Sequence, residues 1–379
     1  MDAAIFEKLQ KFYRKTLKRS RLVRELVFAA KIRRRYRHGE YCTPADPTWH
    51  KTGSGLKLAV ICDELTWLNL KNCADVVYLT PKNWLQTMEA EHPDLFFCEA
   101  AWNGLNGCWQ NEILRSREFR QENRRVLLDI LQYCRQAEIP SVFWNKEDTP
   151  SFDADPHHFV ETALLFDHIF TTTEECIAKY RALGHNSVHL MMFGFLPEYF
   201  YPTQAPFDEN TAVFLGSWYA NHPQRCSDMR KAFTSVLDSG LTLKIYDRYS
   251  AADDPALQYP PEFQPYVQPA VPYAQTGDIM RSAGYVININ TVTDSRTMFA
   301  RRVFEAMACG KIVISNDSLG MRHLFGSNVW FVGEPFNTAR AREIAAENLK
   351  TVNTKYTFRK QLTAALQSAG LAGEKRGLL

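Results

Sequence analysis

Short apolar runs alternate with amphipathic, helix-like segments along most of the chain. The runs are rich in Val, Ile, Leu and Phe and end at turn-forming or polar residues, which is typical of buried parallel strands. Helical segments between successive strands predict crossover connections, and therefore an α/β fold with a parallel, doubly wound sheet in each half. The first half has predicted strands at Leu58–Cys62, Val76–Leu79, Leu95–Cys98, Ser141–Trp144, His168–Thr171 and Val188–Phe193. The second half has them at Ala212–Leu215, Leu241–Tyr246, Tyr285–Ile289, Lys311–Ser315 and Val329–Val332.

The helices between the strands have recognisable ends. Residues 111–138 carry an apolar stripe that stops ahead of Pro140, which predicts one long helix. The segment 172–184 begins with threonines that could cap the start of a helix. It ends at Gly184, and glycine is the residue type that most often follows a helix. Residues 339–368 are also predicted to be helical.

The length and the breaks in alternation predict two domains. A chain of 379 residues exceeds the size of one ordinary core. The proline-rich segment 194–210 interrupts the strand–helix pattern, so the boundary is placed near it. The expected organisation is a basic helical extension at 1–40, a Rossmann-like domain at 41–200 and a second Rossmann-like domain at 201–379 that ends in helices. Two such domains facing a cleft would bind ligands beyond the carboxyl ends of their strands.

The charge is unevenly distributed along the chain. Residues 1–40 hold 13 Lys or Arg against 4 acids, a net +9, while the rest carries 32 basic and 38 acidic residues, a net −6. An amphipathic basic helix favours contact with an anionic inner membrane surface. The alternative is a helix that packs on its own domain or on a partner. Nucleic acid is not expected as a partner, because the body of the chain is acidic.

Localisation and metal content follow from composition. The sequence contains no run of 18 apolar residues and no apolar segment after its basic start that would make a signal peptide. Its nine cysteines lie apart, without the spacing of zinc ligands. These features predict a cytoplasmic protein with reduced thiols and no bound metal, peripheral at most to the membrane.

Several candidate ligand-binding residues of the second half lie near predicted strand ends, and they include arginines, a glutamate and a glycine. Gly216 and Ser217 follow a strand, where a glycine lets backbone approach a ligand closely. Guanidinium groups bind phosphate oxygens, and a carboxylate suits sugar hydroxyls. The further candidates are Asn290, Ser295, Arg301, Arg302 and Glu305. The alternative is an Arg–Glu surface pair on a core helix.

The first half offers carboxylates at strand ends. Asp63 follows one predicted strand, Glu99 ends another, and Glu147 and Asp148 follow a third. A general base would be placed at this kind of rim. The alternative for each acid is a helix cap.

The order of these segments resembles the glycosyltransferase-like family of the spore-maturation protein CgeB, which has the GT-B architecture. The resemblance spans about residues 58–360 and is carried by FLGS, LTLKIYD, VPYAQTGDIMRSAGYVININ and DSRTMFARRVFEAMACGKIVISN in the second half. In the first half it is carried by PDLFFCEAAWNG, IPSVFWNKED and LLFDHIFTTTEECIAKY.

The resemblance implies a transferase that moves a sugar from a nucleoside-diphosphate donor to a hydroxyl of a cell-surface glycan or lipid-linked acceptor. It implies a donor on the second domain, an acceptor on the first, and no cofactor or metal. By position it assigns Glu305 to the donor's ribose, Arg301 or Arg302 to its diphosphate, Gly216-Ser217 to the turn beneath the phosphates, and the loop of Val271 and Tyr273 to the base.

One position departs from the family pattern. Retaining relatives often have a Glu eight positions before the ribose-binding one, where this chain has Thr297. The stereochemical outcome therefore stays open. Two further functions remain alternatives: a non-catalytic scaffold of surface or spore assembly, and a nucleotide-sugar epimerase.

Overall fold

The computed structural model describes residues 49–371 except 117, 118, 120, 154–156 and 252. The predicted basic helix at 1–40, and the membrane contact expected of it, lie outside the described residues. The described chain divides into two compact units. The second unit comprises Thr172–Glu175 and Met191–Ala364, so it begins ahead of the boundary predicted near residue 200.

The first unit is built on a parallel six-stranded sheet. Its strand order is β2-β1-β3-β5-β7-β8, and a two-stranded antiparallel ribbon, β4-β6, is separate from it. The strands are Lys57–Ile61 (β1), Asp75–Tyr78 (β2), Leu95–Glu99 (β3), Arg115–Ser116 (β4), Ser141–Asn145 (β5), His157–His158 (β6), His168–Thr171 (β7) and Val188–Leu190 (β8). The helices are Glu64–Leu70 (α1), Trp84–Glu91 (α2), Arg125–Gln136 (α3), Asp148–Ser151 (α4), Val160–Ala163 (α5) and Glu174–Ala182 (α6), the last of which starts in the second unit.

The second unit has its own parallel six-stranded sheet, in the order β11-β10-β9-β12-β13-β14. The strands are Thr211–Leu215 (β9), Thr242–Tyr246 (β10), Val267–Gln268 (β11), Tyr285–Asn288 (β12), Ile312–Ser315 (β13) and Trp330–Phe331 (β14). The helices are Pro223–Asp238 (α7), Thr276–Arg281 (α8), Arg302–Ala308 (α9), Leu319–Phe325 (α10), Ala341–Lys355 (α11) and Phe358–Ser368 (α12), whose end from Ala365 belongs to the first unit.

Both sheets are buried on two faces, which explains their continuous apolar strands. All residues of β3, β5, β9, β12 and β13 are buried. In the second unit, Phe214, Phe233 and Ile287 belong to one apolar cluster that also takes in helix α7. The predicted fold class, two doubly wound Rossmann-like sheets with flanking helices, is confirmed. The predicted cleft between the domains stays a prediction.

The prediction of one long helix at 111–138 is wrong in its first half. Helix α3 begins only at Arg125. Asn111 has φ 63°, in the left-handed region that helices do not use. The side-chain amide of Asn123 donates hydrogen bonds to the carbonyls of Asn111 and Leu114, at 2.7 and 2.6 Å. These long-range bonds satisfy the backbone of a buried loop where the apolar stripe predicted a helix.

Membrane-spanning helices and metal-ligand clusters are both absent from the described residues. None of the helices in the described part is long and apolar enough to cross a bilayer. Within the same residues, no group of three His, Cys, Asp or Glu side chains could hold a metal ion.

Candidate functional site

The carboxyl edge of the second sheet brings together the predicted donor-binding residues. Strands β9 and β12 are neighbours although β10 and β11 separate them in sequence, so the strand order reverses between them. Ligands of doubly wound sheets bind at the carboxyl ends of the strands where the order reverses. Gly216 follows β9, and Asn290 lies two residues beyond β12. This edge is therefore the candidate site.

Gly216 lies where there is no room for a side chain. A Cβ at this position would come 2.8 Å from the Phe214 ring and 3.5 Å from a guanidinium nitrogen of Arg302. The backbone is fixed on both sides, since Gly216 N–H donates to the Tyr246 carbonyl at 3.1 Å and the Tyr259 hydroxyl donates to the Gly216 carbonyl at 2.8 Å. The glycine thus leaves room for the Phe214 ring beneath the turn, and Arg302 lies next to it.

Three arginines surround this turn and form what is here called the arginine cluster: Arg225, Arg248 and Arg302. Arg225, in the first turn of α7, donates to the Ser217 carbonyl at 3.1 Å. Arg302 begins α9, and its guanidinium carbon lies 5.2 Å from the centre of the Phe214 ring. Arg248 follows β10 and is exposed. Three elements far apart in sequence therefore bring positive charge to one place.

The positive charges of the cluster are incompletely balanced. Burial lowers the pKa of Arg302 to about 10; Glu305 opposes this shift, and Arg225 and Arg248 add to it. Burial also lowers the pKa of Arg225, and Arg248 contributes. Within the described part of the chain, none of the three has an ion pair shorter than 4 Å. An anion bound here would relieve the repulsion among them.

The hydroxyl of Ser217 is buried beside the cluster without a hydrogen-bond partner. Ser217 is 1% exposed, and its Oγ makes no hydrogen bond to any described residue. Leaving a buried hydroxyl unpaired costs about 1–3 kcal/mol. A ligand oxygen at this turn would supply the missing partner.

Glu305 is held by Tyr273 and Arg301 on α9. The Tyr273 hydroxyl donates to Glu305 Oε1 at 2.7 Å, and Nε of Arg301 lies 2.9 Å from the same oxygen. Burial raises the pKa of Tyr273, and the neighbouring carboxylate raises it further. The two adjacent arginines therefore do different things: Arg301 pairs with Glu305, and Arg302 joins the cluster. Val271 is partly buried and lies two residues before Tyr273.

The predicted residues Asn290 and Ser295 hold the loop between β12 and α9. Asn290 Oδ1 accepts hydrogen bonds from the side-chain amide of Asn288 at 2.9 Å and from Ala300 N–H at 3.1 Å. Ser295 Oγ donates to Glu175 at 2.8 Å and accepts from the Met298 N–H at 3.0 Å. These side chains shape the loop that leads into the arginines. Their predicted contact with a donor stays a prediction.

In the first unit, three of the four predicted carboxylates meet around one lysine. Lys146 Nζ lies 3.0 Å from Glu147, 3.5 Å from Asp63 and 3.6 Å from Glu99. Asp63 and Glu99 follow β1 and end β3, the neighbouring strands at which the order of the first sheet reverses. Burial lowers the pKa of Lys146, but the three carboxylates outweigh it and raise the pKa well above its usual range.

The three carboxylates around Lys146 differ in how accessible they are to a ligand. Asp63 is occupied by the backbone N–H groups of residues 102, 103 and 104, at 3.0, 3.0 and 2.8 Å. Glu99 is fully buried and accepts from Asp63 N–H and the Thr66 hydroxyl. Burial raises its pKa to about 6, although Lys146 opposes the shift. The side chain of Glu147 is 27% exposed and keeps its contact with Lys146.

Asp148 is separate from the other three carboxylates. It is fully buried and accepts hydrogen bonds from Tyr180 at 2.6 Å and from Asn145. Burial raises the pKa of Asp148 to about 7 despite hydrogen bonds that lower it. Its surroundings are those of a buried structural carboxyl.

A cavity of about 470 Å³ opens at the carboxyl ends of β9, β12 and β13. Its walls come from the start of α7, from residues 290–293 and from residues 316–317. Arg225 lines this cavity and also contacts the turn at Ser217. The cavity and the arginine cluster therefore share a wall.

Sequence reasoning missed Arg225, Arg248 and Lys146 as site residues. Arg225 lies eight positions after Ser217 in the first turn of the next helix, and Lys146 precedes two of the predicted carboxylates. The available signal was the position directly after β5, the second position after β10, and the first turn of the helix that follows β9. The cluster itself appears only when the fold brings these positions together.

Residues 246–367 match the protein-family model described as Glycosyl transferase-like. This region contains Arg248, Tyr273, Arg301, Arg302 and Glu305. No curated protein matches the chain.

Solved structures resemble the chain at low identity. TarM of S. aureus, in a complex with fondaparinux, α-GlcNAc-glycerol and UDP, is 11% identical with a TM-score of 0.49, covering 76% of this chain and 58% of TarM. A glycosyltransferase from Rickettsia africae is 11% identical with a TM-score of 0.48, covering 84% of this chain and 99% of the other. HepE of Anabaena, in complex with UDP-glucose, is 13% identical with a TM-score of 0.46, covering 83% and 95%. The chain spans little more than half the length of TarM.

Proposed function

We propose that this protein is a glycosyltransferase that uses a nucleoside-diphosphate sugar as donor. The observation that carries the proposal is the arginine cluster around the Gly216-Ser217 turn. Three guanidinium groups with incompletely balanced charge suit a diphosphate. The glycine beside them lets the diphosphate come close to the backbone. The orphan Ser217 hydroxyl offers it one more hydrogen bond.

The neighbouring groups fit the remainder of a nucleotide. Glu305, whose direction is set by Tyr273 and Arg301, would accept hydrogen bonds from the ribose hydroxyls. The loop of Val271 and Tyr273 would bracket the base. The family match over residues 246–367 supports this reading, and the motifs of the second half favour the CgeB-like branch.

The arginine cluster would also act in the reaction. Negative charge develops on the departing diphosphate as the bond to the sugar breaks, and fixed cations stabilise it most where water is scarce. We propose that the guanidinium groups supply this charge without a metal ion.

The first unit would bind the acceptor, a hydroxyl of a glycan or of a lipid-linked sugar. Of the four predicted carboxylates, Glu147 fits a general base best. It is partly exposed and is free of backbone hydrogen bonds to its carboxylate among the contacts of the described residues. Asp63 is engaged by three backbone N–H groups, and Glu99 and Asp148 are buried.

We further propose a cytoplasmic enzyme that meets membrane-linked acceptors through its basic residues 1–40. The net charge of +9 would attract anionic lipid, each cation adding about 1 kcal/mol near the surface. Sedimentation with phosphatidylserine vesicles, comparing the full chain with one lacking residues 1–40, tests this. Equal sedimentation of both would contradict it.

Direct binding tests the proposed donor. Titration calorimetry with UDP, GDP, ADP and dTDP, in buffer containing EDTA, is expected to show one preferred nucleoside diphosphate. Arg302→Ala should weaken the binding of this diphosphate at least tenfold, because the contact between the Arg302 guanidinium and a phosphate is lost. Arg342→Ala is the matched control, since Arg342 is exposed on α11 and pairs with Glu209. No binding of any of the four, or equal effects of the two variants, would refute the proposal.

A further inference from the structure

Helix α2 of the first unit carries an apolar side chain on its solvent side. The exposed residues of this helix, here called the α2 face, are Leu85, Gln86, Glu89 and Ala90. They share one side because residues four apart on a helix are neighbours. Thr87 and Met88, on the other side, are buried. Leu85 is 44% exposed at a place where an amphipathic helix usually has a polar residue.

Two aromatic rings extend the apolar part of the α2 face. Trp84 of α2 and Tyr133 of α3 are both partly exposed, and their rings meet edge to face with centres 6.1 Å apart. The pKa of Tyr133 is raised, first by burial and then by the nearby carboxylate of Glu89. A leucine, two aromatic rings and a carboxylate therefore lie together on this surface. An amphipathic segment with basic residues is the kind of partner that such a surface fits.

The charge around α2 is opposite to that of the chain's first residues. Residues 84–94 contain Glu89, Glu91 and Asp94 and neither Lys nor Arg, a net −3. Residues 1–40 carry a net +9, and apolar residues such as Ile5, Leu9 and Phe12 recur among the basic ones at helical spacing. Exposed ion pairs contribute only about 0–1 kcal/mol each, so the apolar contact would hold the two together and the charges would select the place.

The chain enters the first unit beside the same helix. The indole N–H of Trp49, the first described residue, donates to the Glu91 carboxylate at the end of α2. The next residue, His50, exchanges backbone hydrogen bonds with Val76 on β2, an edge strand of the sheet. Residues 41–48 can span about 26–29 Å when extended, whereas an eight-residue helix such as α2 is about 12 Å long. The basic segment can therefore reach the α2 face of its own chain.

From these observations we propose that residues 1–40 dock on the α2 face of their own chain when no anionic membrane is present. Their apolar positions would contact Leu85, Trp84 and Tyr133, and their basic positions would contact Glu89. A membrane and the α2 face would compete, because both use the same side chains of residues 1–40. This competition rests on the membrane contact proposed above, whereas the docking does not. Docking would lower the apparent affinity for a membrane by the fraction of chains that are docked.

Cross-linking of the full chain tests the docking. A carbodiimide activates a carboxylate, which a lysine amine in contact with it attacks to form an amide, and mass spectrometry identifies the joined peptides. Lysines of residues 1–40 should link to Glu89 at least fivefold more often than to Glu64, an exposed carboxylate in the first turn of α1. Leu85→Gln should reduce the links to Glu89 at least threefold. Leu183→Gln is the matched control, because Leu183 is a 54% exposed leucine of the same unit.

Vesicles test the competition. Phosphatidylserine vesicles should reduce the links to Glu89 at least fivefold, and phosphatidylcholine vesicles should leave them unchanged. In sedimentation with phosphatidylserine vesicles, Leu85→Gln should bind at least twofold more tightly than the natural chain, because docking no longer competes. Leu183→Gln should bind like the natural chain. Equal melting temperatures establish that both variants are folded.

Each contrary result overturns a stated part of the proposal. Links to Glu89 that are no more frequent than links to Glu64, or that survive Leu85→Gln, would overturn the docking and leave the membrane contact standing. Links found only between two chains, in a mixture of ¹⁵N-labelled and unlabelled protein, would replace it with docking on a second copy. A chain that sediments with phosphatidylserine vesicles and keeps its links would overturn the competition. A chain that does not sediment would overturn the membrane contact and the competition, and the links would then decide the docking.

Discussion

The Tyr273 hydroxyl donates a 2.7 Å hydrogen bond to Oε1 of Glu305 across 32 positions of the chain. Arg301 approaches the same oxygen to 2.9 Å. One oxygen of a nearly buried carboxylate is therefore restrained from two sides, and the plane of the group is set. The relationship joins the short turn at Tyr273–Gln275 to α9, and it gives the carboxylate its direction before any ligand is bound.

Tyr273→Phe should weaken the binding of the preferred nucleoside diphosphate about three- to tenfold. The change removes one hydrogen bond to a charged group, worth about 1.5–3 kcal/mol in the fold, and about half of that loss falls on the ligand that Glu305 contacts. Calorimetry measures the effect. Tyr201→Phe is the control, because Tyr201 is 48% exposed.

The same variant also tests the ribose contact. If Glu305 binds one ribose hydroxyl, Tyr273→Phe should weaken the binding of a nucleotide that lacks this hydroxyl less than it weakens the binding of the complete nucleotide. The 2′-deoxy and 3′-deoxy forms test the two hydroxyls in turn. An unchanged effect with both deoxy forms would mean that Glu305 acts elsewhere.

Gly216→Ala should lower nucleotide affinity at least tenfold and destabilise the second unit by about 1–3 kcal/mol. The new methyl would lie 2.8 Å from the Phe214 ring, and the shift of the turn that relieves this contact would move the ligand-facing backbone next to Arg302. Urea denaturation and calorimetry measure the two losses separately.

Phe214→Leu combined with Gly216→Ala tests the cause. If steric contact with the ring is responsible, the double variant should lose less stability than the two single changes added together. Strict additivity would contradict the steric explanation.

Glu147→Gln should lower kcat for the hydrolysis of the bound nucleotide sugar, with water as acceptor, by about 10²–10⁴-fold. The KM for the donor and the melting temperature should stay unchanged, because Glu147 lies on the first unit and is partly exposed. Full activity of this variant would remove Glu147 as the base.

Asp63→Ala is the contrasting variant among the same carboxylates. It should cost about 2–4 kcal/mol of stability, since three backbone N–H groups and Lys146 lose an acceptor. A loss below 1 kcal/mol in urea denaturation would show that the loop at residues 102–104 does not depend on Asp63.

The contribution of Asp148 to stability should fall as pH rises from 4 to 7, whereas His168 and His189, whose pKa values burial lowers, contribute in the opposite direction. The pKa of Asp148 is about 7 in the folded chain against an ordinary 3.8, so the folded state holds the proton more tightly. The stabilising effect of this proton is complete below pH 4 and is lost by pH 7. Glu99, with a pKa of about 6, acts in the same direction.

Asp148→Asn should therefore be more stable than the natural chain at pH 8, by up to a few kcal/mol, and should show a flatter pH profile. The neutral amide keeps an oxygen for Tyr180 and removes the ionisation. Urea denaturation at pH 5 and pH 8 measures both. Parallel profiles of the two proteins would rule out Asp148 as the titrating group.

The sequence was most informative where a strand ends. Every predicted strand from Leu58 to Val332 has a counterpart within one or a few residues, because two-sided burial forces continuous apolar runs. The residues after those strands could be placed at a common edge for the same reason. The carboxyl edge of the first sheet includes Asp63 and Glu99, and that of the second sheet includes Gly216, in each case at the point where strand order reverses.

Sequence reasoning failed where side chains from distant positions satisfy the backbone. The loop before α3 was predicted as helix because its apolar residues Ile113 and Leu114, both buried, precede the apolar stripe of α3 without a break in the pattern. Its actual conformation depends on Asn123 and on the Trp109 indole, which donates to the Leu79 carbonyl at 2.8 Å. Neither partner can be read from local periodicity.

The arginine cluster shows the same limit at the site. Arg225 and Arg248 are 77 and 54 positions before Arg302, and no local motif links them. The pair Arg301-Arg302 was visible as a pair, but its division between Glu305 and the cluster follows from the direction in which α9 begins.

The two points where strand order reverses carry opposite electrical signs. Around Lys146 there are three carboxylates to one ammonium group, and around Gly216 there are three guanidinium groups with Glu305 nearby. A diphosphate approaching from solution is repelled by one and drawn to the other before it touches either. The association rate of the diphosphate should therefore decrease with added salt. The binding of an uncharged sugar hydroxyl should not depend on ionic strength.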